Sequence, residues 1–187
     1  MNGSYLIPVN SRADRTRLSV QLCEVHSDAF SELNGLAWAD LNQVPSWMVI
    51  EKTRLEEFQL LCGTLFLAPV INTITDTSVL RTIAASVGED QLMRVMDWQT
   101  ANPQSSEPDE LQQTDLRMQL RTDAASILRK SGAAILLAYC NTPGLICLGF
   151  KIHGLPAGKM TERNADAFVA QAMKIIDVNR DSRSAAA

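Results

Sequence analysis

The chain has 187 residues, of which 46% are hydrophobic and 20% are charged, as in an ordinary globular protein. Its formal net charge of −4 argues against binding nucleic acid through the phosphate backbone, which requires a basic surface. Because only 5% of the residues are aromatic, the core must consist mainly of aliphatic and small side chains, which suit helix packing. These features predict a mainly α-helical fold: a single globular multi-helix domain with, at most, a small appended N-terminal helical segment.

The N-terminal part of the chain is predicted to be an extended segment followed by two helices. Residues 1–10 contain a proline and two asparagines and are expected to be extended. Ser11 can cap a helix over residues 12–24. A second, short helix is predicted over residues 29–36. The buried stripe of the first helix is expected to be Leu18, Leu22 and Val25, and its solvated basic face to be Arg12, Arg15 and Arg17.

The densest apolar pattern lies between residues 45 and 98 and predicts three helices in close succession. Ser46 is placed to cap the first of them. This helix would run to residue 67, because Pro69 should stop or kink it. One face carries apolar residues at helical spacing: Leu55, Phe58, Cys62, Leu65 and Phe66.

The other two helices of this region are shorter. Asp76 or Thr77 can cap the first, and Gly88 can end it in a left-handed conformation. The next is predicted over residues 90–98, where acidic residues at the start favour the positive end of the helix dipole. Their apolar stripes are Val79, Leu80, Ile83 and Val87, and then Leu92, Val95 and Met96.

The C-terminal half begins with a predicted linker. Residues 100–109 contain two prolines and almost nothing to bury, and they divide a helical domain that spans residues 11–180. Asp109 can cap a long helix over residues 110–130, which Gly132 should interrupt before it resumes over residues 133–139. The buried positions of the long helix are expected to be Leu116, Leu120, Ile127 and Leu128.

The last segments are less regular. Residues 145–153 fit either a buried strand or a helix, and we favour the helix. Thr161 can cap a final helix, and residues 181–187 are predicted to be a disordered tail. The apolar face of the final helix is Ala165, Phe168, Val169, Ala172, Met173 and Ile176.

The residues offer little chemistry, and we expect no enzyme. His26 is followed by Ser27 and Asp28, but a catalytic triad is assembled from separate parts of a chain, so we interpret this run as a turn. His153 has no second ligand at metal-binding spacing, so no zinc site is expected. Residues 154–159 lack the hydroxyl residue that follows lysine in a phosphate-binding loop. We therefore expect no metal and no cofactor.

The acidic pairs of the chain are expected to be hydrated surface residues. Glu56 and Glu57 are expected on a helix surface, and the acidic run over residues 107–110 in a hydrated linker.

No apolar run approaches the ~20 residues that span a bilayer, and the N-terminus lacks the basic start and apolar core of a secretory signal. We therefore expect a cytoplasmic protein without a membrane span. Its cysteines would be buried free thiols: Cys23, Cys62, Cys140 and Cys147.

A helix-turn-helix is a rival interpretation of residues 80–96. Ala84 and Gly88 are spaced as in that motif, but Glu89 and Asp90 stand at the end of the second helix that should meet DNA. This charge is wrong for a helix that reads the major groove. We therefore favour a helical hairpin within the core and expect no nucleic-acid partner.

Several segments of the chain resemble one protein family. They are the run PSW over residues 45–47, RL over 54–55, LCGTLFLAPVINTITD over 61–76, VLRTIAASVGEDQLMRVM over 79–96, and the later GAAILLAYC and PGLICLGFKIHGLP. Together they resemble the K-type adaptor family of bacterial type III secretion over residues 41–156. The chain departs from the family pattern before Leu155, where only Lys151 is basic and the family has an arginine-rich segment.

The resemblance implies a non-enzymatic cytoplasmic scaffold. Members of the family belong to the sorting platform beneath the injectisome, where they connect the cytoplasmic domains of the inner-membrane ring to the pods that lead to the ATPase. The expected partners are therefore the ring's cytoplasmic domain and the pod protein, and the expected location is peripheral to the inner-membrane secretion machine.

Two other functions stay open at this point. A chaperone-like or regulatory helical module would use an adaptable methionine groove. An enzyme would need a polar pocket that holds His26 or His153 beside buried carboxylates. An exposed Trp38 or Trp47 would suit a partner-binding anchor, although either fits the core equally well. The candidate methionines are Met93, Met96, Met118 and Met173.

Overall fold

The computed structural model describes residues 6–25, 36–102, 110–138 and 162–185. Two short 3₁₀ helices, Asp40–Gln43 and Ser46–Val49, precede the central helices, and the described residues contain no strand beyond an isolated antiparallel bridge. The predicted mainly helical class is confirmed. The six α-helices of these segments are α1 Arg12–Val25, α2 Lys52–Ile71, α3 Thr77–Val87, α4 Glu89–Ala101, α5 Glu110–Ala138 and α6 Glu162–Ala185.

The chain divides into two compact units. Unit 1 comprises Met1–Glu56 and Leu137–Lys151, and unit 2 comprises Glu57–Leu136 and Ile152–Ala187. Among the described residues, no helix combines the length and apolar character needed to cross a bilayer.

In unit 1, helix α1 begins at the predicted cap. The Ser11 hydroxyl accepts a hydrogen bond from the Asp14 backbone N–H at 3.1 Å, and the Asp14 carboxylate accepts one from the Asn10 N–H at 3.2 Å. The Ser11 hydroxyl also donates to the Asp14 carboxylate at 2.8 Å, and this bond is the main cause that lowers the pKa of Asp14. The arrangement is close to a capping box, but its second backbone bond comes from Asn10, one residue before the cap. The helix buries Leu18 and Leu22 against the two 3₁₀ helices, as its stripe predicts.

Ser46 does not cap α2, so that prediction is wrong. Pro45 forms the bridge to Leu6, and Ser46 then opens a 3₁₀ turn without a side-chain cap bond. The chain becomes extended again at Ile50, and α2 begins only at Lys52. The turn buries two adjacent residues, Trp47 and Met48, which a single α-helical stripe does not favour.

Helix α2 carries much of the core. The sequence predicts one apolar stripe, but residues 60–65 are all buried, so this part of the helix is surrounded by protein. Pro69 does not end the helix at residue 67, since α2 continues to Ile71. A proline this close to the end removes one backbone hydrogen bond, and the Asn72 N–H still closes the last turn on the Ala68 carbonyl at 2.9 Å.

In unit 2, α2 and α5 approach each other closely at two glycines. A Cβ atom on Gly63 would lie 1.9 Å from the Leu128 carbonyl oxygen, and one on Gly132 would lie 1.8 Å from the Gln59 carbonyl oxygen. The Gln59 side-chain amide also donates to the Arg129 carbonyl at 2.9 Å. The prediction that Gly132 interrupts the helix is wrong, because this glycine serves the contact between helices and α5 passes through it.

The interruption of α5 lies at Asp123 instead. Its backbone is non-helical, with φ −154° and ψ 77°, and its carboxylate accepts a hydrogen bond from the Ser126 N–H at 3.0 Å. Asp123 therefore caps the second half of α5. Aspartate competes for backbone donors in this way, which makes it a poor interior residue and a good cap.

Helices α3 and α4 are joined by a single residue, Gly88. The Asp76 carboxylate caps α3 by accepting from the Ser78 N–H at 3.0 Å, as predicted. Gly88 ends the helix as predicted and has a positive φ of 100°, but its ψ of 135° differs from the left-handed helical value. The joint is shorter than the three- to four-residue turn of a helix-turn-helix. Helix α4 runs past the predicted end at residue 98, and its buried positions differ from the predicted stripe: they are Gln91, Val95 and Gln99.

The predicted apolar face of α6 is confirmed. Its residues are buried except Met173, which is half-buried, and Ile175 is a further buried residue that the prediction did not include. The helix reaches Ala185, so it enters the predicted tail. The sequence from residue 177 to 185 has no glycine or proline to end it.

Several predictions lie outside the described residues. They concern residues 1–5, the helix over residues 29–36 except its last residue, linker residues 103–109, the segments 145–153 and 154–159, His26, Asp109, Cys140, Cys147, His153 and Thr161.

Candidate interaction site

The structure distinguishes the two tryptophans that were candidate anchors. Trp47 is fully buried in unit 1, whereas Trp38 is 49% exposed. Trp47 therefore belongs to the core. A half-exposed indole is a large apolar surface in contact with water, so Trp38 is the candidate for a partner contact.

A hydrogen-bonded turn positions Trp38. The Asp40 N–H donates to the Ala37 carbonyl at 2.9 Å, and the Asp40 carboxylate accepts from the Ala37 N–H at 2.8 Å. These two bonds close a four-residue turn in which Trp38 is the second residue. Asp40 also begins the 3₁₀ helix Asp40–Gln43. The bonds that order the turn all involve backbone and carboxylate groups, so none of them uses the indole.

Arg15 of α1 packs on the Trp38 ring. Its guanidinium carbon lies 5.8 Å from the ring centroid, a cation–π contact worth about 0.5–1 kcal/mol at an exposed site. The Arg15 Nε also donates to the Asn42 side-chain oxygen at 3.2 Å. We call Arg15, Trp38 and Asn42 the Trp38 patch. The sequence predicts Arg15 on a solvated face and carries no signal for Asn42, because their pairing depends on how α1 meets the 3₁₀ helix.

The Trp38 patch has the character of a protein-binding hot spot. Tryptophan and arginine are enriched at such positions, and side chains that are already ordered lose less entropy on binding. No model of a known protein family, no curated protein and no solved structure matches the chain, so the patch is judged by its own geometry.

The four candidate methionines separate into two classes. Met93 is 63% exposed and Met118 is 57% exposed, whereas Met96 and Met173 are half-buried. Only the first two are therefore free to meet a partner, and the other two contribute to packing.

The remaining candidates have structural roles. Glu56 is exposed as predicted, while Glu57 is half-buried and accepts a hydrogen bond from the Gln91 side chain. Burial strongly raises the pKa of the Cys62 thiol, which makes it unreactive. Cys23 is exposed, so the prediction that it is buried is wrong; it lies beside, and not on, the Leu22 face of α1. In the part of the chain that the structure describes, no cluster of three or more potential ligands is suited to a metal ion.

Proposed function

We propose that the chain is a non-enzymatic scaffold that binds other proteins and serves as an adaptor in the sorting platform of a bacterial type III secretion system. The observation that carries the binding role is Trp38, an indole left half exposed on an ordered turn. Tryptophan is among the residues that contribute most to protein interfaces. The adaptor role is supported by the resemblance of residues 41–156 to the K-type family.

The residues that carry this resemblance have mainly internal positions. Trp47 and residues 61–65 are buried, Asp76 caps α3, and Gly88 joins α3 to α4. Such residues specify the helical framework, so the partner-binding surface in this proposal consists of other residues. Trp38 precedes the resembling region and is exposed.

The partners in this proposal are the cytoplasmic domain of the inner-membrane ring and the pod protein, and the site of action is the cytoplasm beside the inner membrane. A specific interface buries about 1,200–2,000 Å² in total, counting both partners. One indole supplies only a fraction of that area. Trp38 would therefore be the centre of an interface that extends over neighbouring residues of unit 1.

Affinity purification from secretion-competent bacteria tests the proposal. The tagged full chain is expected to recover injectisome components, and Trp38→Ala is expected to lose at least one of them. Met93→Ala is the matched control, because it removes an exposed apolar side chain from unit 2. Recovery of no injectisome component by the wild-type chain would refute the adaptor role. Equal recovery by Trp38→Ala would refute the role of the patch.

A chaperone-like or regulatory module is the second candidate, and the exposure of Met93 and Met118 favours it. In that case the double variant Met93→Ala/Met118→Ala should lose binding to an unfolded client polypeptide, while Trp38→Ala should keep it. The opposite pattern would favour the adaptor.

A further inference from the structure

Helices α4 and α6 form a shallow groove in unit 2. Its volume is about 380 Å³, near the lower end of the range for ligand sites and enough for a few side chains. The lining residues of each helix are spaced i, i+3 and i+4, which places them on one face of that helix. They are Arg94, Asp97 and Trp98 from α4, and Gln171, Lys174 and Ile175 from α6.

The floor of the groove is apolar and anchored in the core. The Trp98 ring packs edge-on against Phe168, with centroids 5.8 Å apart, and Phe168 packs in the same way against Phe66 at 6.0 Å. Phe168 and Ile175 are buried, while Trp98 is half-buried. One part of the indole is therefore held by the core, and the remainder is available to a side chain that enters the groove.

Each wall of the groove carries one basic side chain. Arg94 extends from α4 and Lys174 from α6, and Asp97 is the one carboxylate among the lining residues. Within the described segments, neither cation has an ion pair or a side-chain hydrogen bond. The groove thus has two cations against one anion in a chain whose net charge is −4. This local excess is complementary to an acidic partner.

We infer that the groove binds an acidic segment of a partner protein, with an apolar side chain on the exposed part of the Trp98 ring and a carboxylate between Arg94 and Lys174. Charge-assisted hydrogen bonds from both walls would position the carboxylate, and the exposed part of the Trp98 indole would supply the apolar contact. This inference goes beyond the adaptor role and does not depend on it. The groove lies in unit 2, whereas Trp38 lies in unit 1, and the expected ligand is a class of acidic peptide and not a component of the secretion system.

Selection from a displayed library of short random peptides, with the full chain as bait, tests the inference. Peptides that combine Asp or Glu with a neighbouring large apolar residue should be enriched. Synthetic copies of these peptides should bind in a fluorescence anisotropy assay. Their affinity should fall in ~1 M salt, where the Debye length is about 3 Å.

Charge reversal gives the sharper readout. The double variant Arg94→Glu/Lys174→Glu should weaken binding of the acidic peptides by about tenfold or more and select basic peptides instead. Asp97→Asn should strengthen binding of the acidic peptides, because it removes the opposing carboxylate. A destabilised variant cannot produce such an exchange of preference. Circular dichroism of each variant provides the check on folding. Arg81→Glu, a charge reversal at an exposed arginine of α3 outside the groove, is the control that should bind like the wild type.

Several outcomes would overturn the inference: no enriched peptide, enrichment of basic peptides by the wild-type chain, or equal binding by the charge-reversed variant. Self-association of the chain that the charge reversal abolishes would also overturn it, since the occupant would then be a second copy. Peptide binding that persists when no injectisome component is recovered would refute the adaptor role alone. Recovery of those components without peptide binding would refute the groove alone.

Discussion

The Trp38 patch and the crossing of α2 with α5 hold their residues in place by opposite means. At the crossing, the backbones are so close that a Cβ atom on Gly132 would lie 1.8 Å from a carbonyl oxygen. In the patch, hydrogen bonds and the Arg15 guanidinium order an indole that is still 49% exposed. The crossing cannot accept an added methyl group, whereas the patch can lose a whole side chain. We therefore expect stability to depend on the first region and binding on the second.

The largest expected effect is that of Gly132→Ala. In an ordinary helix interior this change stabilises by about 1 kcal/mol. Here we expect the free energy of unfolding to fall by about 3 kcal/mol, because α2 and α5 must move apart to admit the methyl group. Urea denaturation followed by circular dichroism measures the change.

Gly63→Ala should behave like Gly132→Ala, since its Cβ atom would lie 1.9 Å from the Leu128 carbonyl oxygen. Ala85→Gly, at an exposed helical position of α3, is the control and should cost only about 1 kcal/mol. An unchanged or increased stability of Gly132→Ala would show that the two helices are not in close contact.

Gly88→Ala should have the next largest effect and a different cause. The nearest atoms to a Cβ atom here are those of the Gln91 side chain, at 3.8 Å, so space is not limiting. The cost, about 1–2 kcal/mol, comes from φ 100°, which side-chain-bearing residues rarely adopt. The same denaturation experiment measures it. A loss as large as that of Gly132→Ala would mean that the joint between α3 and α4 depends on more than backbone conformation.

A smaller effect is expected from pH. Hydrogen bonds from the Ser78 side chain and backbone lower the pKa of Asp76 in the folded protein. The Arg121 guanidinium, with a nitrogen 3.7 Å from a carboxylate oxygen of Asp76, lowers it to a smaller extent. The stabilisation from the ionised carboxylate is therefore complete above its unfolded pKa of about 3.9 and is lost as the pH falls through the lower folded value. Asp76→Asn keeps a capping side chain but cannot ionise.

The urea midpoint of Asp76→Asn should accordingly fall less steeply than that of the wild type as the solution is acidified. Asp14 is the internal reference: the Ser11 bond lowers its pKa in the same direction, so some acid sensitivity should persist in Asp76→Asn. Identical profiles for the two proteins would contradict the role of the Asp76 carboxylate.

The smallest effect on stability is expected for Trp38→Ala. The side chain is half exposed and the turn closes through Ala37 and Asp40, so the free energy of unfolding should change by no more than about 1 kcal/mol. Partner recovery, in contrast, should be lost. A large loss of stability would show that Trp38 belongs to the core and not to the binding surface. The contrast between the Trp38 patch and the crossing of α2 with α5 would then no longer hold.

The elements that the sequence predicted correctly are those that depend on near neighbours. The caps at Ser11 and Asp76 and the end at Gly88 each require residues within one helical turn. The failures depend on distant contacts. Gly132 was predicted to break a helix because the sequence does not show that α2 packs against this glycine. Ser46 was predicted to be a cap because the sequence does not show that Pro45 pairs with Leu6.

The candidate site was predictable only in part. Trp38 and Trp47 were both candidates for an anchor, since the sequence around them does not reveal which faces water. The difference arises because the chain passes through two 3₁₀ turns, the second of which buries Trp47 and Met48 together. The α4–α6 groove was missed because its two halves come from parts of the chain that are far apart in sequence.

The paired glycines have a consequence for tracing the ancestry of this chain. Leucines and isoleucines of a core replace one another readily as a lineage diverges, so their pattern erodes. Gly63 and Gly132 have no such substitutes, because each lies where the neighbouring backbone leaves no room for even a methyl group. A remote descendant of the same fold should therefore be easier to recognise by two small residues on helices that cross than by any apolar motif.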